Sequence, residues 1–373
     1  EFKDLDLMVC GDVANTNVFD PGDVNTHKQC QQMYEEQIAW AKEAGVDFVI
    51  AETINWTEEM KIALKAIKDA GLIAVCNFAI PRGLDTELFD LKFKSPLVAA
   101  SFKSDENLLD IWMKLGLGGS TYKTVMKSER SGNPRPRLQQ IRLEREQCLV
   151  NALGLPGSGI DLFTKNLLAS SLWAYNRPLG ISIGGENVDE YVSNFNEIEK
   201  TLNGTVPDIY YYELNISCPN TDTGSCIGDD LDVLEKLVEH VRVNCSAAVS
   251  LKISPDWTND RLRNIGEIIQ KKDKMFVNAG NTHFRTIESL GLKSGQLPRN
   301  GGGLSGVAIF PRTLEMIHVF SDINIKIMAT GGISTVHHLR AARDAGASLF
   351  GMATALIMDP YCIPKINNDL ARY

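Results

Sequence analysis

The chain has 373 residues, of which 44% are hydrophobic and 23% charged, an ordinary globular composition with room for one barrel of about 250 residues plus an extra piece. Its net charge of -9 argues against nucleic acid as a main partner, because phosphate binding asks for a basic surface. No run approaches about 18 consecutive apolar residues, so no membrane span is expected.

In chain order, residues 5–10 read as a short strand. Residues 26–44 read as a helix, with Cys30, Tyr34, Ile38 and Ala41 on one face at helical spacing. Gly45 ends it, and Asp47 to Glu52 is the next strand. A second helix carries Met60, Ala63, Leu64 and Ile67, Gly71 stops it, and Leu72 to Cys76 is a third strand. This βαβαβ piece, assigned to residues 1–84, leaves parallel edges open and is not expected to be stable alone. Pro, Gly and charge over 79–90 mark the boundary to a second domain, residues 85–373.

From there eight strand candidates follow, at 95–100, 118–125, 178–184, 210–217, 247–254, 275–280, 325–330 and 348–353. Helical periodicity lies between most of them, at 104–115, 160–173, 187–202, 230–243, 259–271, 311–319 and 334–345. Strands alternating with helices imply parallel pairing, and eight repeats imply a closed barrel. The expected class is therefore α/β, a (β/α)8 TIM barrel preceded by a partial βαβαβ segment.

The stretch Tyr210 to Thr221 runs from a strand into a turn that Pro219 enforces. Asn215, Ser217, Cys218 and Asn220 thus gather at a strand's C-terminal end, where barrel ligands sit. A free Cys is usually a buried small hydrophobe, but these polar neighbours would be wasted in a core, which favours a working thiol. The segment after Asn220 has the composition of a lid. Lys123 ends the second barrel strand, beside the rigid turn Gly132 to Arg137, and suits a ligand anion. Lys252 is a charge inside an apolar strand, which either pairs with an anionic ligand or forms an interior salt bridge.

Several further loops are candidates. Asn151 to Gly159 reads as a loop that brings backbone near a ligand, and Asn278 to Thr282 ends the sixth barrel strand. Gly301 to Gly306 reads as a glycine-rich loop. Gly331 and Gly332 end the seventh strand, and Gly351 to Thr354 the eighth, the pair of loops where barrels recurrently hold phosphate.

Eight cysteines, Cys10, Cys30, Cys76, Cys148, Cys218, Cys226, Cys245 and Cys362, include no C-x-x-C pair and no zinc spacing. They read as mostly buried, inert thiols in a reducing compartment, the cytoplasm, with no metal. The chain opens at Glu1 rather than Met, which leaves open a removed targeting segment or a truncated start.

Two resemblances follow. Cys10 to Thr16, Glu35-Glu36-Gln37 and Val46 to Thr53 resemble part of a homocysteine S-methyltransferase barrel of the betaine–homocysteine type, over residues 1–83. The resemblance would place Glu52 at a homocysteine pocket. The family's zinc-binding cysteines have no match, so methyl transfer is not expected and Glu52 reads as an ordinary strand-end carboxylate.

Residues 90–373 resemble dihydroorotate dehydrogenase, through Lys123-Thr124-Val125, Gly132 to Arg137, Asn151 to Gly159, Asn215 to Asn220, Lys252, Gly303 to Gly306, Gly331-Gly332 and Gly351. The resemblance implies FMN at the barrel mouth and oxidation of dihydroorotate to orotate in pyrimidine (UMP) biosynthesis. It implies Cys218 as the base, with Lys123 beside it. Asn151, Asn215, Asn220, one of Asn278 or Asn281, Thr282 and the backbone of Leu153, Gly154 and Leu155 would hold the substrate. Ala100, Ser101, Lys123, Thr124, Asn215, Lys252, Gly306, Gly331, Gly332, Gly351 and Thr354 would hold the cofactor.

Cysteine at the base position resembles the soluble, class 1 members, which implies no membrane partner; a homodimer is expected, and the electron acceptor, fumarate or NAD through a partner subunit, stays open. Phe102 and Gly157 depart from the family pattern, at positions that usually carry Gly and often Asn. Alternatives are a pyrimidine-reducing flavin barrel of the dihydropyrimidine dehydrogenase type, and an inactive fusion.

Overall fold

The computed structural model describes residues 8–54, 56–78, 84–143, 145–217 and 227–371. The chain divides into two compact units, Glu1–Gly83 with the last three residues, and Leu84–Leu370.

The first unit is a three-stranded parallel sheet in the order β1-β2-β3, made of β1 (Cys10–Val13), β2 (Phe48–Ile54) and β3 (Ile73–Phe78). Helices α1 (Val24–Glu43) and α2 (Thr57–Asp69) connect the strands. Cys30, Tyr34 and Ile38 of α1, at helical spacing, pack with Val49, Ala51, Ala63 and Ile67 in this unit's own hydrophobic cluster. The first strand starts at Cys10 rather than spanning 5–10, of which residues 5–7 lie outside the described residues. Its register is set by β2, with Cys10 opposite Phe48, and Asp47 accepts the Val9 N–H just before the pairing begins.

The second unit opens with a hairpin, β4 (Thr86–Leu88) and β5 (Leu91–Phe93), so the latter part of the expected 79–90 boundary already belongs to the barrel. Next come β6 (Leu97–Ala99), α3 (Glu106–Lys114), β7 (Gly119–Val125), β8 (Glu129–Arg130), β9 (Leu138–Leu143), β10 (Glu146–Asn151), β11 (Gly157–Ser158) and α4 (Ile160–Leu168). They are followed by β12 (Leu179–Ile183), α5 (Val188–Leu202), β13 (Tyr210–Leu214), α6 (Leu231–Asn244), β14 (Ala248–Ile253), α7 (Asn259–Gln270) and β15 (Met275–Ala279). The chain ends with β16 (His283–Thr286), β17 (Gly301–Gly306), α8 (Phe310–Ser321), β18 (Lys326–Thr330), α9 (Val336–Asp344), β19 (Leu349–Met352), α10 (Thr354–Met358) and α11 (Cys362–Ala371).

Eight of these strands close into a parallel barrel in the order β12-β13-β14-β15-β18-β19-β6-β7, each within a few residues of its expected place. Polar side chains start the surrounding helices: Asp105, Asn187, Asp230, Thr258 and Thr335 each accept a first-turn N–H, satisfying donors the helix cannot.

Alternation along the strands sorts the barrel interior by height. At the N-terminal end Val98, Tyr211, Ala248, Phe276, Met328 and Leu349 meet Leu88, Leu91 and Phe93 of the hairpin in one apolar cluster. One step up, the inward positions of four of these strands turn polar yet stay buried, with Glu213, Ser250, Asn278 and Thr330. A further step reaches the mouth.

Of two expected loops, the 151–159 one keeps an irregular stretch at 152–156 but is entered from one strand and left through another, and the 301–306 one is a strand. Asn151 ends β10, and Gly301–Gly306 is β17, in a four-stranded antiparallel sheet ordered β16-β17-β10-β9. That sheet walls one side of the mouth. Among the described cysteines, Cys30, Cys148 and Cys362 are buried and Cys245 half-buried, but Cys10 and Cys76 are exposed, so inertness by burial does not extend to these two. Among the described residues no helix is long and apolar enough to cross a membrane.

Candidate active site

A cavity of about 1160 Å³ opens at the C-terminal mouth of the barrel. It is lined by strand ends from β6, β7, β13, β14, β15, β18 and β19 and by the antiparallel sheet. Of the residues singled out from the sequence, Ala100, Ser101, Lys123, Thr124, Asn151, Leu153, Gly154, Leu155, Asn215, Lys252, Asn281, Thr282, Gly306, Gly331, Gly332, Gly351 and Thr354 all line it. Asn278 does not: it is fully buried below the mouth, where its Nδ2 donates to Glu213 Oε2 at 2.6 Å. Cys218 and Asn220 lie outside the described residues, as does the segment read as a lid except for its last two residues, Ile227 and Gly228, which open a short 3-10 turn.

The amide side of the mouth is a hydrogen-bonded set. Asn215 Nδ2 donates to Thr124 Oγ1 at 2.9 Å, and Thr124 pairs with Ser182 at 2.9 Å. Asn281 Nδ2 donates to Ser217 Oγ at 3.0 Å while its Oδ1 accepts the Thr282 N–H. Asn151 Nδ2 donates to the Gly303 carbonyl across the β10–β17 pairing. Each amide is oriented by a partner before any ligand arrives, as a preorganised site requires.

The turn from Gly132 to Arg137 is knitted to the 151–155 segment. Asn133 N–H donates to the Leu153 carbonyl and its side chain to the Ala152 carbonyl, both at 2.9 Å. Arg137 spends one Nη on the carbonyls of Ser131 and Asn133. The arginine therefore clamps its own loop, and the loop presents Leu153, Gly154 and Leu155 to the cavity. Lys123 is half-buried in β7 and lines the same cavity.

Gly331 and Gly332 follow β18 with φ of 131° and 80°, a backbone region that suits glycine and costs other residues strain. Gly351 of β19 packs so closely on Thr330 that a Cβ there would collide with the hydroxyl. Both strand ends thus offer bare backbone to the cavity, the form an anion cradle takes. Ser305 and Thr354 link the antiparallel sheet to this side by a 2.9 Å hydrogen bond.

Lys252 is 7% exposed and lines the cavity. Its ammonium donates to Ser101 Oγ at 2.8 Å and lies 3.9 Å from Glu213 Oε1. The interior salt bridge and the cavity-facing role, posed as alternatives from the sequence, are both compatible with this placement. Glu213 is the functional-site neighbour the sequence reading passed over. Its signal was present: Tyr211, Glu213 and Asn215 share one face of a strand, so a charge stood between a core residue and a mouth residue. Phe102 also lines the cavity, with its ring stacked on Trp112 at 5.6 Å. Gly157 sits exposed in β11 with open space where a side chain would go.

Closed parallel (β/α)8 barrels carry their active sites at the C-terminal mouth, where this unit has its cavity, and the unit is of that class of enzyme fold. Comparison with known sequences gives the family. The model for dihydroorotate dehydrogenase matches residues 83–373, and the chain belongs to that family.

The model for homocysteine S-methyltransferase matches residues 1–101, past the 83 expected. The catalytic subunit of dihydroorotate dehydrogenase B (NAD(+)) from Bacillus cereus strain G9842 is 32% identical over 298 residues, covering 77% of this chain and 90% of that protein. The corresponding Fusobacterium nucleatum subunit is 31% identical over 297 residues, covering 77% and 92%. The crystal structure of the Eimeria tenella enzyme in complex with ferulenol superposes with a TM-score of 0.67 at 21% identity, over 78% of this chain and 85% of that one, a likeness of fold.

Proposed function

We propose that the barrel unit oxidises dihydroorotate to orotate in pyrimidine (UMP) biosynthesis, with FMN as its bound cofactor. The observation that carries this reading is convergence. Motif residues scattered from Ala100 to Thr354 line one cavity, in a chain of the dihydroorotate dehydrogenase family, whose members generally depend on flavin.

The residues present fit FMN at three points. Gly306, Gly331, Gly332 and Gly351 would cradle the phosphate with bare backbone. Lys252, Ser101 and Thr124 would meet the ring end. The cavity, about 1160 Å³, exceeds the usual range of about 300–1,000 Å³ for one small ligand, which leaves space for a second flat ring beside the first.

Asn151, Asn215, Asn220 and Asn281, with the Thr282 hydroxyl, would grip the substrate's polar edge and carboxylate, and Lys123 would add charge nearby. Cys218, acting as thiolate, would take the C5 proton. Held by these residues, FMN would supply the acceptor for the C6 hydride. The preoriented amides would stabilise the charge that develops as the proton leaves.

We further infer an electron-transferring partner subunit with NAD as final acceptor, in preference to fumarate, supported by the naming of the relatives as NAD(+)-type catalytic subunits. A homodimer in the cytoplasm belongs to the same proposal. So does the division into domains at 84/85, beside the compact-unit boundary at 83/84.

The test is an anaerobic half-reaction with the purified chain. Bound flavin should bleach with dihydroorotate and not with dihydrouracil, and Cys218→Ala should slow bleaching by about 100-fold or more. A flavin untouched by dihydroorotate, or a Cys218→Ala variant of unchanged rate, overturns the assignment.

A further inference from the structure

Glu213 is 0% exposed, in a strand between Tyr212 and Leu214. A carboxylate at such a place needs charge and hydrogen bonds to hold it. Ser101 Oγ donates to its Oε1 at 2.5 Å, Asn278 Nδ2 donates to its Oε2 at 2.6 Å, and Lys252 Nζ stands 3.9 Å from Oε1. Lys252 in turn donates to the same Ser101 hydroxyl at 2.8 Å. The Ser101 oxygen therefore accepts from the ammonium and gives its proton to the carboxylate, which fixes the direction of both bonds. Ser101 and Lys252 line the cavity, and Glu213 and Asn278 do not.

We propose that Glu213 is a positioning residue for the flavin: through Ser101 it fixes where the Lys252 ammonium stands, and it sets how much of that positive charge the ring experiences. This rests on the reading that FMN occupies the cavity with its ring end at Lys252. With Glu213 in place the buried pair is close to neutral as seen from the mouth. Without the carboxylate charge, a full positive charge faces the ring and favours its electron-rich reduced form. Without the ammonium, the remaining carboxylate disfavours it. Replacing either partner by a neutral residue of similar size therefore shifts the bound flavin's potential in opposite directions, which a purely structural carboxylate would not do.

The experiment is a spectroelectrochemical titration of the flavin bound to the full chain, alongside FMN affinity of the apoprotein and thermal unfolding. Glu213→Gln should raise the preference for reduced over oxidised flavin about tenfold, about 30 mV for a two-electron couple. Lys252→Met should lower it by a similar factor, and Glu213→Asp should return it toward the wild-type value. A Glu213→Gln chain with bound flavin and an unmoved potential overturns the proposal while leaving the dihydroorotate assignment standing. If Glu213→Gln fails to fold or to retain flavin, Ser101→Ala carries the test. It removes the link that fixes the ammonium while keeping both charges, so the potential should move by a smaller amount than in Glu213→Gln, and no shift there overturns the proposal. A wild-type chain that takes up no flavin overturns both.

Discussion

Asn278 and Asn281 stand three positions apart at the end of one strand and do different work. The sequence shows two amides of equal promise, because depth along a barrel axis is not written in residue type. In the structure Asn278 is sealed beneath the mouth against Glu213, and Asn281 lines the cavity with Ser217 and Thr282. Asn278→Ala deprives a buried carboxylate of one donor and should cost about 1–3 kcal/mol, read as a lower denaturant midpoint. Asn281→Ala should cost less than about 1 kcal/mol of stability, because solvent at the mouth can replace its bonds, and should raise the KM for dihydroorotate at least about tenfold. Equal effects of the two changes on KM would refute this division of labour.

At the scale of elements, the eight barrel strands were legible because each is an apolar run bounded by turn residues, buried on both faces. The antiparallel sheet beside the mouth was not. β9, Leu-Gln-Gln-Ile-Arg-Leu, alternates exposed and half-buried residues and carries long polar side chains that favour no strand on their own. β17 has Gly at four of its six positions, so its extended form comes from pairing with β10 and β16, a tertiary cause invisible to local propensity. The β4–β5 hairpin was hidden by the charge and turn residues read as a boundary. Its Phe93 is fully buried and packs with Tyr211 at the barrel's closed end, ring centroids 6.5 Å apart. Phe93→Ala removes that plug and should cost about 3–5 kcal/mol of stability, with KM unchanged because the cavity lies at the other end. A shift in KM without a fall in unfolding midpoint would show that the hairpin reaches the site.

Over the whole molecule, the two units differ in how they treat their edges. The barrel pairs every strand of its main sheet with two neighbours, so it exposes no open ladder, and its clusters begin with Leu88 of its own hairpin. The first unit keeps β1 and β3 as edges of a three-stranded sheet. It leaves Ile73 and Val75 63% and 43% exposed, while its own cluster runs from Val13 to Ile67. Parallel three-stranded sheets with a bare apolar face are poor independent folders. Removing residues 1–84 should therefore leave the barrel's flavin content per chain unchanged and its unfolding midpoint within about 3 °C, the shift that about 1 kcal/mol produces in a domain of this size. The converse piece, residues 1–84 alone, should sediment as aggregate or lack cooperative unfolding. A truncated barrel that loses flavin or falls out of solution would show that the first unit supports the second, and a large gain in flavin on truncation would show that it interferes.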